Sequence, residues 1–195
     1  MKRITLAVGL LIILSIPAKA QEAPRIDVFG GYSYFRPDGG GSLHGWNASI
    51  AGNFARWFGL VGDFSGHYGA QSLRTEFPLP GSPGTISVKA DTNSSLHHLL
   101  FGPRFSYRRN ERITPFAHGL LGAARLSTKA TLIVGDSSRE VSFADIAFAA
   151  ALGGGLDLKL TESIGLRLIQ ADYVLTRFGG GTQNNARLSV GLVFH

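Results

Sequence analysis

Eight times along the chain, a stretch of about ten residues alternates bulky apolar side chains with small or polar ones. A period of two puts the two sets on opposite faces of a β-strand, whereas a helix repeats near 3.6. In IDVFGGYSY (26–34), Ile26, Val28, Gly30, Tyr32 and Tyr34 oppose Asp27, Phe29, Gly31 and Ser33. In HGWNASIAGNF (44–54), Trp46, Ala48, Ile50, Gly52 and Phe54 oppose Asn47, Ser49 and Asn53; in FGLVGDFSGHY (58–68), Phe58, Leu60, Phe64 and Tyr68 oppose Asp63, Ser65 and His67. The fourth stretch, LLFGPRFSYRR (99–109), sets Leu99, Phe101, Pro103, Phe105 and Tyr107 against Gly102, Arg104 and Ser106. Segments 113–126, 143–158, 163–175 and 186–194 continue the series, the fifth with neither face cleanly apolar. In the seventh, Arg167 and Asp172 have opposite parity, which a bulge near Ile169-Gln170 would reconcile.

The connections alternate in length. Those after strands two, four and six are short (55–57, 108–112 and 159–162); those after strands one, three, five and seven are longer (36–43, 69–93, 127–141 and 177–184). This predicts an all-β fold, an eight-stranded up-and-down antiparallel β-barrel with a loop side and a turn side.

The first twenty residues stand apart. A basic start, Met1-Lys2-Arg3, precedes the apolar run 4–16, and Ala18-Lys19-Ala20 has the small-x-small form of a signal-peptide cleavage site. Thirteen apolar residues are too few for a spanning helix, which needs roughly 20. Domain organisation is therefore expected as a signal peptide over 1–20 and one barrel domain over 21–195. Cleavage would remove Lys2, Arg3 and Lys19, leaving 16 of the 19 basic side chains against 13 acidic ones, so the formal charge of +6 is weak grounds for a nucleic-acid partner. With no cysteine, the chain has no disulfide or thiolate metal site.

Alternation alone leaves open which face is inward. A soluble lipocalin-like barrel buries its apolar face; a transmembrane barrel shows it to lipid. Three features favour lipid. The less apolar faces are glycine, serine, alanine and isolated charges, and lysine is almost absent from the strands. Aromatic residues gather near strand ends, with Tyr32, Tyr34, Trp46, Phe54, Trp57, Phe58, Tyr68 and Tyr107 as candidate interfacial girdles. Strands of about ten residues suit a tilted crossing of the bilayer. A transmembrane β-barrel also explains Arg104, which would point into a polar lumen, and Pro103, which belongs towards the turn-side rim where a lost ladder bond is tolerated.

DVFGGYSYF (27–35), LFGPRFSYR (100–108), TPFAHGLLGAAR (114–125) and GLRLIQADY (165–173) resemble the small outer-membrane β-barrel family related to outer membrane protein A. The resemblance covers residues 25–195 and implies an outer-membrane location, both termini in the periplasm and four loops outside the cell. Unlike outer membrane protein A, this chain stops at strand eight, so no wall-anchoring role carries over. The family's last strand ends in an aromatic residue read by the barrel assembly machinery; here Gly191, Leu192 and Phe194 form a slightly altered version, followed by His195.

The candidate chemistry is modest. Asp63, Arg104, Asp145, Asp157, Arg167 and Arg187 are expected to form a charge cluster in the lumen, either a plug or a narrow polar path, with the plug favoured because eight strands leave an interior that side chains can fill. No histidine spacing resembles a metal site: His97 and His98 point to opposite faces, while His44 and His67 could approach them near the loop rim. Asp63, Ser65 and His67 share a face and contain the groups of a hydrolase, yet all have roles as lumen packing. The expectation is a non-enzymatic membrane scaffold without cofactor or metal. Its partners would be outer-membrane lipids, lipopolysaccharide and the assembly machinery, with loop 69–93 the candidate surface for an extracellular ligand. An adhesin-like binding protein is the main alternative, followed by a small porin and a lipid-modifying hydrolase.

Overall fold

The computed structural model describes residues 26–39, 41–78, 85–110, 112–134 and 137–195. The expected cleavage site at Ala18 and Ala20 lies outside them. Eight strands follow in order: β1 Ile26–Arg36, β2 Leu43–Asn53, β3 Phe58–Pro78, β4 Thr85–Ser106, β5 Ile113–Val134, β6 Ser137–Lys159, β7 Ile164–Thr176 and β8 Gln183–Phe194. Each pairs antiparallel with the next, and β1 pairs with β8, so the sheet closes into a barrel without free edges in its ring. Closure satisfies the backbone groups internally, the condition for any β-structure inside a bilayer.

Alternation fixes what faces where. Asp27, Phe29, Ser33 and Phe35 of β1 are buried in the lumen, while Ile26, Val28 and Tyr32 are exposed on the outside. The same parity runs through the other strands. In β7 the register shifts between Arg167 and Gln170, Leu168 and Ile169 both face outward, and Arg167 and Asp172 both face the lumen. Pro103 points outward near the turn-side end of β4, where the β4–β5 ladder passes from Phe101↔Leu121 to Arg104↔His118.

The strands are unequal, and this corrects the expected loops. β1, β2, β7 and β8 have 11 to 13 residues, about what a tilted crossing needs. β3 to β6 have 21 to 23. Segments 69–93 and 127–141, read as loops, are mostly β-hairpin: β3–β4 pairing continues to Pro78↔Thr85, and β5–β6 pairing to Val134↔Ser137. At about 3.3 Å per residue, the surplus carries a four-stranded sheet on the order of 30 Å along the strand direction beyond the ring. β2 reaches only Tyr68 of β3, and β7 only Ala149 of β6, so the projecting sheet has an open edge on each side.

The physical cause of the misreading is a change of solvent. Within the bilayer, β4 turns Leu99, Phe101 and Phe105 outward and His98 and Arg104 inward; above it, Lys89, Asp91 and Asn93 face outward and Ala90 faces inward. The apolar face switches sides where lipid gives way to water, so a pattern sought with one polarity ends at the boundary.

The lumen is also more apolar than expected. Phe35, Leu96, Leu100, Leu120, Ala124 and Val174 belong to a buried apolar cluster whose members come from β1 to β7. Small and ionised residues therefore fill only part of the tube.

Candidate functional site

The polar part of the lumen is a chain of charges and hydrogen bonds running from the turn side towards the loop side. At the turn-side rim, Asp27 accepts hydrogen bonds from Arg108 Nη2 (2.7 Å) and Asn53 Nδ2 (3.0 Å) and lies 2.8 Å from His195 Nδ1. The C-terminal residue thus links β8 to β1 at the closing seam. Arg104 Nη1 is 3.7 Å from Asp27 Oδ2, and its Nη2 donates to Asp157 Oδ2 at 2.9 Å. Asp157 is also held bidentately by Arg167, from Nε at 2.8 Å and Nη2 at 3.0 Å. The guanidinium groups of Arg104 and Arg167 lie 4.2 and 4.4 Å from the Phe116 ring centroid, and Arg167 is 4.2 Å from that of Phe29. These aromatic faces stabilise the cations where water is excluded.

Higher in the lumen, Arg167 Nη1 donates to Gln170 Oε1 (2.6 Å), and Gln170 Nε2 donates to Asp172 Oδ2 (2.8 Å). Asp172 is 2.7 Å from His118 Nε2 and accepts from Arg187 Nε at 2.9 Å. Arg187, fully buried, also donates from Nη1 to Asp63 Oδ1 at 2.6 Å and to Ser65 Oγ at 3.1 Å. Asp63 completes its shell with Asn47 Nδ2 at 2.8 Å. Four aspartates (27, 63, 157 and 172) are thereby matched by four arginines (104, 108, 167 and 187). Matching of this kind offsets the desolvation of buried charge.

Five of the six residues read as a charge cluster, Asp63, Arg104, Asp157, Arg167 and Arg187, are brought together here. Asp145 is not. It has the inward parity, but at its height β6 has left the ring, and its carboxylate instead accepts from the Ile146 amide at 2.8 Å. Asp27, Arg108, Asp172, His118 and Gln170 also belong to the network and were missed as members. Asp27 shares its parity with the inward residues of β1, so its signal was present; Asp172 needed the bulge to be taken at face value.

The histidines separate as their parity requires. His67 and His98 are buried inside, both against Phe35, with ring centroids 5.1 and 5.2 Å from it. His44 and His97 are outside, bonded to Tyr32 Oη (2.5 Å) and Tyr68 Oη (3.2 Å). Among the described residues no group of three or more His, Cys, Asp or Glu is arranged around a metal position. His67 Nε2 is hydrogen bonded to Ser33 Oγ (2.9 Å), whereas Ser65 is engaged by Arg187 and His98. The three hydrolase-type groups therefore have no shared relay and lie buried in the lumen.

On the outer surface the aromatic residues form two bands. Phe54, Trp57, Phe58 and Tyr107 lie at the turn side, with Trp57 stacked on Phe105 at 6.1 Å. Tyr32, Tyr34, Trp46 and Tyr68 lie at the loop side, where Trp46 meets Phe64 edge-on at 5.0 Å. Above that band the outer face of the projecting sheet is charged. Arg74 pairs with Glu76 at 3.3 Å and Lys89 with Asp91 at 2.7 Å. The Lys89 ammonium and the Ser72 hydroxyl hold the Asp91 carboxyl below the usual carboxylate range.

Gly191, Leu192 and Phe194 lie on the closing strand, opposite Gly31, Gly30 and Val28; Leu192 and Phe194 face outward. A Cβ on Gly191 would overlap the carbonyl oxygen of Gly30.

Comparisons with known proteins agree with this architecture. Residues 6–194 match the family described as the outer membrane protein beta-barrel domain. Among solved structures, the chain is similar to Ail, the attachment invasion locus protein of Yersinia pestis in complex with the heparin analogue sucrose octasulfate. The identity is 21%, coverage is 87% of this chain and 97% of that one, and the TM-score is 0.53, a likeness of fold. Neisserial surface protein A matches at 12% identity over 89% of this chain and 99% of that one, with a TM-score of 0.45. The N-terminal β-barrel domain of Pseudomonas aeruginosa OprF matches at 14% over 89% and 100%, with a TM-score of 0.38. No curated protein sequence matches the chain.

Proposed function

The chain belongs to the outer membrane protein β-barrel domain family, and from that premise we propose that it is a non-conducting, non-enzymatic scaffold that holds a rigid sheet outside the cell. It resides in the outer membrane. One observation carries the reading: the lumen is crossed by matched charges and an apolar cluster, with Arg167, Arg187, Phe29, Phe35, Leu100 and Leu120 all essentially inaccessible. A porin reading requires a continuous watery path, and eight strands give an interior that side chains can fill.

Sequence and position support the remaining roles. Residues 1–20 act as an export signal, and the outward Leu192 and Phe194 with Gly191 supply the C-terminal signal read by the barrel assembly machinery. The two aromatic bands anchor the barrel at the lipid interfaces. Arg125 and Lys129, outward on the loop-side half of β5, meet the phosphates of lipopolysaccharide or other outer-leaflet lipids.

The adhesin-like reading also has a specific observation in its favour. Residues 69–78 and 85–93 are paired strands within a four-stranded sheet, so they present a surface at little further loss of conformational entropy. Pull-down of a surface ligand that is lost when residues 70–91 are replaced by a short turn would establish this role.

Planar-bilayer recordings test the closed lumen. The wild type is expected to show no stable, selective conductance. Arg104→Ala should unfold at lower urea than wild type, because Asp27 and Asp157 lose a partner, and should still not conduct. A large, steady wild-type current would refute the scaffold reading and restore the porin.

A further inference from the structure

We propose that the loop-side mouth of the barrel is a binding site for a small, uncharged amphipathic molecule, which rests its apolar part on the inner face of the projecting sheet. The argument begins with register. Leu73 lies opposite Ala90, Ala90 opposite Leu132, Ala130 opposite Val141 and Thr128 opposite Phe143, with no shift between these strands and the lumen. All these side chains therefore share the inward parity of His67, Leu96 and Leu126. Here, however, no opposite wall covers them, because β1, β2, β7 and β8 have ended.

The result is a largely apolar face in water, flanked along β6 by Arg139 and Asp145, which share its parity opposite Leu132 and Leu126. Leu73 is 68% exposed, Leu132 45%, Val141 54% and Phe143 58%. The reverse face of the same sheet carries Arg74, Glu76, Lys89, Asp91 and Lys129. An amphipathic sheet with its charged side towards the surroundings and its apolar side over the mouth has the polarity of a binding surface.

What fits there follows from the cavity with which this face is continuous. Directly below it, the mouth encloses about 230 Å³. Its apolar lining includes Phe35, Leu43, Leu96, Leu126 and Phe178, and its polar collar includes Gln71, Thr92, Thr176, Gln183 and Asn185. Among the described residues lining it, Asp38 alone is charged, and its carboxylate accepts from the Asn184 amide at 3.2 Å. An anionic ligand would lose its hydration with no cation among the described lining residues to meet it, and a cation would find only the rim carboxylate of Asp38, already engaged by the Asn184 amide. A neutral molecule with a hydroxyl- or amide-bearing end and a short apolar portion can satisfy both parts. The volume suits one ring or a short chain rather than a protein segment. The proposal depends on the sealed lumen in one respect: below Phe35 the way is filled, so the ligand is held and does not pass.

Octyl β-glucoside, kept below its critical micelle concentration, is a suitable probe for the 15N-labelled full barrel in lipid nanodiscs. The expected result is saturable movement of the amide resonances of Thr92, Ala130, Val141 and Phe178. Val141→Asp, an exposed position whose change leaves the ring untouched, should weaken the apparent affinity at least tenfold; Arg74→Ala on the opposite face should not alter it. Should Val141→Asp lose its heat-modifiable folded form, Leu73→Asn on the other open edge must show the same weakening. Shifts that never saturate, shifts confined to lipid-facing residues such as Phe101, or octyl sulfate binding as tightly as the glucoside would overturn the proposal. So would a dimer of the embedded protein that Val141→Asp abolishes, since a second copy would then be the occupant. Conductance tests the lumen and these titrations test the mouth, so the two readings fail separately.

Discussion

Replacing Arg187 with methionine is expected to destabilise the folded barrel by about 3–5 kcal/mol, the cost of breaking a buried ion pair by removing one partner. Arg187 is fully buried and is the cation common to Asp63 and Asp172. Methionine fills much of its volume but leaves two carboxylates in the lumen, Asp63 with Asn47 and Asp172 with His118 and Gln170. The effect is read as a fall in the urea midpoint of the heat-modifiable form. Adding Asp63→Asn and Asp172→Asn removes the stranded charges and should recover most of the loss. Unfolding of Arg187→Met at the wild-type urea concentration would mean that the ion network contributes nothing to the barrel.

The second large effect lies at the closing seam. Gly31→Val should prevent formation of the heat-modifiable barrel, while Gly30→Val, one residue away, should fold as wild type does. A Cβ at Gly31 points inward against the Val190 carbonyl oxygen and the Gly191 backbone; one at Gly30 points outward with nothing within 4 Å. Gly31 and Gly191 are direct partners in the β1–β8 pair that completes the ring. Strongly curved strands bring backbones together on the concave side, so only a residue without a side chain fits there. Equal refolding of the two variants would show that the seam has slack.

The glycine pair also explains why the C-terminal strand has two roles to serve at once. Its outward residues Leu188, Val190, Leu192 and Phe194 meet lipid, while Arg187, Ser189 and Gly191 on the other face engage the ion network, Ser33 and the seam. The departure at His195 has a structural use as well, since its ring lies 2.8 Å from Asp27 and its amide donates to the Ser163 carbonyl at 3.0 Å.

Strand number, antiparallel order, the short turns and the direction of nearly every side chain were legible in the sequence. Each follows from alternation along a single chain, and alternation is a local steric property. Even the Arg167–Asp172 parity conflict marked the place where β7 bulges. Height and partnership were not legible. Arg187 and Asp63 are separated by 124 positions, and only the registers of intervening strands bring them to one level. Asp145 had the right parity and the wrong height, because where a ring ends depends on its shortest strands, not on the strand that carries the residue. The projecting sheet was hidden for a related reason: once water replaces lipid outside, the apolar and charged faces exchange places, and the alternation continues with its sense reversed. A pattern in one chain can say that a side chain points inward; only the closed ring decides what lies inward of it.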